Sequence, residues 1–170
     1  MNQHLVILRG APASGKSTIA KKLRDFQKRI VWLKVDNFKD FFSADGTLGL
    51  EYANEAAVII LDYLLSQGFS VVMEGIFQDV SYITKAVKVA ENKGVPNKVY
   101  QIKCSLSILQ ERDRTRPGIK EGCRKPLGDE VIANLYQILE NTFYQGATEL
   151  DTEKLPIEKC IEIVKKDLAI

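Results

Sequence analysis

"LVILRGAPASGKSTIAKKL", residues 5–23, leaves an apolar run, crosses a glycine-bearing turn and enters an amphipathic stretch. Within it, Gly10-Ala11-Pro12-Ala13-Ser14-Gly15-Lys16-Ser17 fits the spacing G-x-x-x-x-G-K-[ST] at the position the motif requires, between a strand and a helix. The residue types follow from the chemistry. Glycines let the backbone curl so that successive N–H groups face phosphate oxygens, and the helix that opens there adds the positive end of its dipole. Lys16 is placed to bridge the β- and γ-phosphates, the Ser17 hydroxyl to ligate magnesium, and Thr18 to reach the α-phosphate. The expected ligand of residues 10–18 is therefore ATP with Mg2+.

Composition bounds the rest. The chain has 170 residues, 45% hydrophobic and 27% charged, the mixture of one globular domain spanning 1–170. No apolar run approaches the ~20 residues of a membrane span, and the N-terminus lacks a secretory pattern, so a cytoplasmic location is expected. Cys104, Cys123 and Cys160 are odd in number and far apart, which points to reduced packing residues rather than disulfides or a CxxC zinc site. With His4 the sole histidine, a Ser-His-Asp hydrolase and a histidine metal centre are excluded. A net charge of +2 argues against a surface built for long nucleic acid. The charge is nevertheless uneven, because residues 112–125 carry six basic side chains against Asp113 and Glu121.

Outward from the loop, short β-branched runs alternate with amphipathic stretches, without repeats or linkers. Strands are expected at 4–9, 30–36, 69–75, 99–104 and, more weakly, 147–151; near-continuous apolarity in the first four suits a sheet covered on both faces. Helices are expected at 16–28, 52–67, 79–92, 105–116, 129–144 and 157–168. This alternation predicts an α/β three-layer fold with a mainly parallel sheet.

Open α/β sheets bind ligands at the carboxyl ends of their strands. Asp36 ends the second strand there, where a carboxylate beside the γ-phosphate can orient an acceptor hydroxyl and take its proton; it also reads as a helix N-cap. Glu74-Gly75 ends the third strand. Glu74 is a candidate for substrate or magnesium-water contact, or a buried carboxylate satisfied by amides, while Gly75 would admit a substrate close to bare backbone. Arg112 and Arg116, four apart, would share a helix face and direct two guanidinia at one phosphate target; a solvated helix end balanced by Glu111 and Asp113 is the bland alternative. Pro117-Gly118 then opens a basic, aperiodic stretch, about 117–128, suited to a lid. Tyr52, Phe41, Phe42 and Tyr136 read as core rather than acceptor pocket.

"ILRGAPASGKST", "VDNF", "VVMEG", "ERDRTRP" and "ELDTEKLPIEKCIEIV" together resemble the compact P-loop kinases, the group of shikimate and gluconate kinases, chloramphenicol phosphotransferase, zeta toxins and polynucleotide kinase. The resemblance covers nearly the whole chain and implies a five-stranded parallel sheet of order 2-3-1-4-5, an arginine-bearing lid, and transfer of the ATP γ-phosphoryl group to a hydroxyl. It further implies that Asp36 is the base or substrate anchor, that Arg112 and Arg116 act on the phosphates, and that the loop around Thr152 lies against the adenine. The acceptor is a small molecule or a polynucleotide end, and the protein a monomer or homodimer. An ATPase switch without an acceptor is the alternative, but Asn92-Lys93-Gly94-Val95 lacks the Asn-Lys-x-Asp pattern of guanine readers.

Overall fold

The computed structural model describes residues 3–26, 28–41, 48–116 and 125–168. Its strands are β1 (Leu5–Gly10), β2 (Ile30–Lys34), β3 (Ser70–Gly75), β4 (Asn97–Lys103) and β5 (Thr148–Asp151). Its helices are α1 (Lys16–Phe26), α2 (Leu48–Ser66), α3 (Ser81–Asn92), α4 (Leu106–Arg114), α5 (Asp129–Asn141) and α6 (Ile157–Leu168), with a 3-10 helix at Val35–Phe41. The five strands form one parallel sheet in the order β2-β3-β1-β4-β5. The expected fold and strand order are borne out.

Strand alternation explains the layers. On the central strand β1, Leu5 and Ile7 point to one face and pack with Ala57 and Leu61 of α2 and Ile83 and Ala86 of α3. Val6 and Leu8 point to the other, against Ile19 and Leu23 of α1 and Cys160 and Val164 of α6. Because both faces are covered, the strand is apolar at consecutive positions, and each fully buried Leu or Ile contributes about 1.5–3 kcal/mol. A third cluster, Ala11, Cys104, Leu109, Ile132 and Leu139, seals the carboxyl end of the sheet between the phosphate loop, α4 and α5. Arg9 interrupts the apolar run of β1 yet is 1% exposed.

Element ends differ from the sequence expectation where tertiary contacts intervene. β2 stops at Lys34, opposite Glu74 of β3, and the backbone then winds into the 3-10 helix, so Asp36 lies two residues beyond the sheet rather than on it. α4 stops at Arg114. The residue before a proline is disfavoured in the α region, which removes Arg116 from the helix, and the Thr115 hydroxyl bonds back to the Glu111 and Arg112 carbonyls. α2 starts earlier than expected, at Leu48, while α1 and α5 end earlier, at Phe26 and Asn141. Phe41 and Tyr52, read as core, are exposed, and Phe42 lies outside the described residues; Tyr136 is partly buried against the third cluster. Most of the expected lid, 117–124, with Lys120, Cys123 and Arg124, also lies outside the described residues. No described helix is long and apolar enough to cross a membrane.

Candidate active site

The phosphate loop closes on itself through steric need. A Cβ on Gly10 would lie 2.7 Å from the Ile102 carbonyl oxygen and 2.9 Å from Ser14 Oγ, so no side chain fits. Ala13 (φ 64°) and Gly15 (φ 93°) are both left-handed, and the Ser14 amide bonds the Ala11 carbonyl at 3.3 Å. Left-handed residues interleaved in this way turn neighbouring amides to one side and make an anion-binding concavity. Ile19 N–H donates to the Gly15 carbonyl at 3.1 Å, leaving the Lys16, Ser17 and Thr18 amides ahead of the first intrahelical bond. Within the loop Pro12 is buried, and Thr18 is exposed at the helix start.

Lys16 is 8% exposed and its Nζ donates to the Ala11 carbonyl at 2.7 Å. Burial lowers its pKa to about 8; Glu74 and Asp36 push it up, Arg116 and Lys34 down. Four charges therefore act on one ammonium, from three separate stretches of the chain, 34–36, 74 and 116. Beside it, Ser17 Oγ donates to Glu74 Oε1 at 2.8 Å. Glu74 is 3% exposed, its Oε2 has no hydrogen-bond partner, and Lys34 Nζ stands 3.9 Å from Oε1. Burial raises the Glu74 pKa, against the opposing pull of Lys16 and the Ser17 hydrogen bond. A hydroxyl and a carboxylate with a spare buried oxygen form a hard, oxygen-only donor set, which suits Mg2+. Asp36, in the 3-10 helix, pairs with Lys39 at 2.8 Å.

The two arginines separate. Arg112 donates from its two terminal nitrogens to Thr152 Oγ1 (3.1 Å) and the Thr152 carbonyl (2.9 Å). Thr152 in turn donates through Oγ1 to the Ser14 carbonyl at 2.9 Å, so Arg112, the β5–α6 loop and the phosphate loop are one linked unit. Arg116 pairs with Asp113 at 3.1 Å, and its charge acts on Lys16. The expected shared helix face is not formed, because α4 ends between them, at Arg114. Gly75 is constrained from within the protein: a Cβ there would come within 2.9 Å of the Phe77 ring. Asp151 forms a turn at the end of β5, its carboxylate accepting from the Glu153 and Lys154 amides at 3.0 and 3.3 Å.

The sequence profile of AAA_33, an AAA domain, matches residues 5–140. The chain belongs to this family. No curated protein matches it in sequence. The AAA_33 chain is similar in structure to a sugar kinase from Janibacter sp. HTCC2649 (TM-score 0.73, 18% identity, 100% of this chain and 96% of that one). It is also similar to the tunicamycin resistance protein of Deinococcus radiodurans (0.69, 12%, 99% and 97%) and to a gluconokinase from Sinorhizobium meliloti 1021 (0.66, 15%, 98% and 91%). At such identities the likeness establishes the fold, which is P-loop kinase-like.

Within this AAA_33 site, sequence reasoning undervalued Asp113. It is 1% exposed, and its Oδ2 accepts from the Leu127 and Gly128 amides at 2.7 and 3.0 Å. It thereby ties the end of α4 to the start of α5, across the segment read as a lid. In sequence it is one acidic residue among arginines, and nothing local marks it.

Proposed function

We propose that the protein is an ATP-dependent phosphotransferase that moves the γ-phosphoryl group to a hydroxyl acceptor. The observation that carries this reading is the gathering of Ser17, Glu74, Asp36 and Arg116 around Lys16 at the carboxyl ends of β1, β2 and β3. Lys16 and the amides of the loop bind the β- and γ-phosphates, the Arg112–Thr152 unit forms the adenine side, and Ser17 with Glu74 would hold Mg2+ and its water. The metal, when bound, neutralises charge on the phosphates. Asp36 accepts the proton of the acceptor hydroxyl, and Arg116 offsets charge that develops on the transferring group. The lysine now bonded to the Ala11 carbonyl must turn to the phosphates, so that contact is the one nucleotide replaces.

The acceptor has to be small, or to present a terminus, for its hydroxyl to approach Asp36. The test is transfer from labelled ATP onto a panel of sugars, nucleosides, antibiotics and 5′-hydroxyl oligonucleotides, with ADP release measured in parallel. Label appearing on one acceptor class, with ADP release dependent on it, is the expected outcome. ADP release that no acceptor accelerates would instead identify an ATPase switch.

A further inference from the structure

A guanidinium near the carboxyl end of the central parallel strand violates the pattern of its surroundings. Every residue of β1 is buried, and Arg9 occupies a position where an apolar side chain would complete the core. It has no carboxylate among its described partners: Nε donates to the Phe77 carbonyl at 3.1 Å, NH1 to Gln101 Oε1 at 2.7 Å and NH2 to Thr142 Oγ1. Burial lowers its pKa only to about 10, so the charge persists at neutral pH. Burying a cation against neutral partners is unfavourable for stability, and apolar replacement of buried ions is often neutral or stabilising. Breaks in the local rules of this kind are expected where function demands them.

The three bonds go to three different elements. Phe77 lies in the β3–α3 loop in a left-handed conformation (φ 49°), two residues after Gly75 and three after Glu74. Gln101 lies on β4. Thr142 caps the end of α5, its hydroxyl donating to the Ile138 carbonyl at 2.8 Å while accepting from Arg9. The other end of α5 is bound to α4 by Asp113 and by the Arg114–Asp129 pair. Arg9 itself is adjacent to Gly10, the first residue of the phosphate loop. We propose that Arg9 is a positioning residue for phosphoryl transfer, fixing the β3–α3 loop and helix α5 relative to the phosphate loop through three simultaneous hydrogen bonds.

This inference rests on the phosphotransferase reading, and its test separates the two. Arg9→Met keeps a long apolar side chain and removes every bond; Arg9→Lys keeps the charge but cannot reach three acceptors as a planar fork. Steady-state ADP release with Mg-ATP and the acceptor that the panel identifies is measured for both, with melting temperature recorded alongside. A misplacement of about 1 Å can cost about a hundredfold in rate, so turnover is expected to fall at least tenfold in each variant. The KM for ATP should stay within about twofold, because the phosphate loop is untouched. Thr142→Val, which removes one acceptor only, should show a smaller loss of the same kind and keeps the test open if Arg9→Met does not fold. Turnover unchanged in Arg9→Met, or restored in Arg9→Lys, overturns the proposal, as does a loss that lies wholly in KM. If the wild-type protein releases no ADP with any acceptor of the panel, the phosphotransferase reading fails. Amide exchange then decides on Arg9: faster exchange at residues 75–80 and 138–142 of Arg9→Met, with 10–18 unaffected, supports the positioning role, and unaltered exchange there refutes it.

Discussion

Lys16→Met should make the nucleotide-free protein more stable while abolishing its expected ligand binding. The fall of the Lys16 pKa from 10.5 to about 8 already includes the attraction of Glu74 and Asp36, and it corresponds to about 3 kcal/mol against the charged form. Methionine removes that cost and keeps most of the volume, but leaves the Ala11 carbonyl without its donor, a loss of about 1 kcal/mol. The net expectation is a gain of about 2 kcal/mol at pH 7, a rise in Tm of about 4–8 °C for a domain of this size. The sign of the pH dependence follows from linkage. The unfolded chain binds the proton more tightly than the native one, so wild-type stability rises with pH between about 8 and 10.5. The advantage of the methionine variant should therefore shrink by about 1 kcal/mol between pH 7 and 9. Thermal unfolding of the two proteins at both values, with calorimetric titration of Mg-ATP at pH 7, measures all of this. A methionine variant less stable than wild type at pH 7, a gap that does not narrow by pH 9, or retained ATP affinity would refute the reasoning.

Gly10→Ala forces a Cβ to within 2.7 Å of a backbone oxygen, and overpacking of this kind costs about 1–3 kcal/mol; an unchanged Tm in a thermal scan would contradict the tight loop. Asp36→Asn is expected to retain ATP binding and to lose about 10²–10⁴ in transfer rate. Because asparagine caps helices as well as aspartate does, near-wild-type transfer to an identified acceptor would reduce Asp36 to a cap. The two arginines should part company in kinetics. Arg112→Lys breaks the paired bonds to Thr152 and should raise the KM for ATP, whereas Arg116→Lys should lower kcat with KM nearly unchanged; identical profiles would mean that they act on one target after all.

The sequence alone determined what depends on short range. The glycine and lysine spacing of residues 10–17 defined a loop between strand and helix, and the apolar runs with their periods defined a parallel α/β sheet. Side-chain volume, backbone freedom and local periodicity act over a few residues, so they are legible in a string. The tertiary structure decided which distant groups meet. Ser17 and Glu74 are 57 positions apart and share a hydrogen bond only because β3 lies beside β1 in its particular register. Thr152 reaches Ser14 across 138 positions through the pairing of β5 with β4. Whether Arg112 and Arg116 share a helix face depended on where α4 stops, which the following proline, the Thr115 hydroxyl and the Asp113 contacts settle together. The cost of burying Lys16 and Arg9 was likewise invisible in sequence, because desolvation depends on every element packed around a charge and not on its neighbours along the chain.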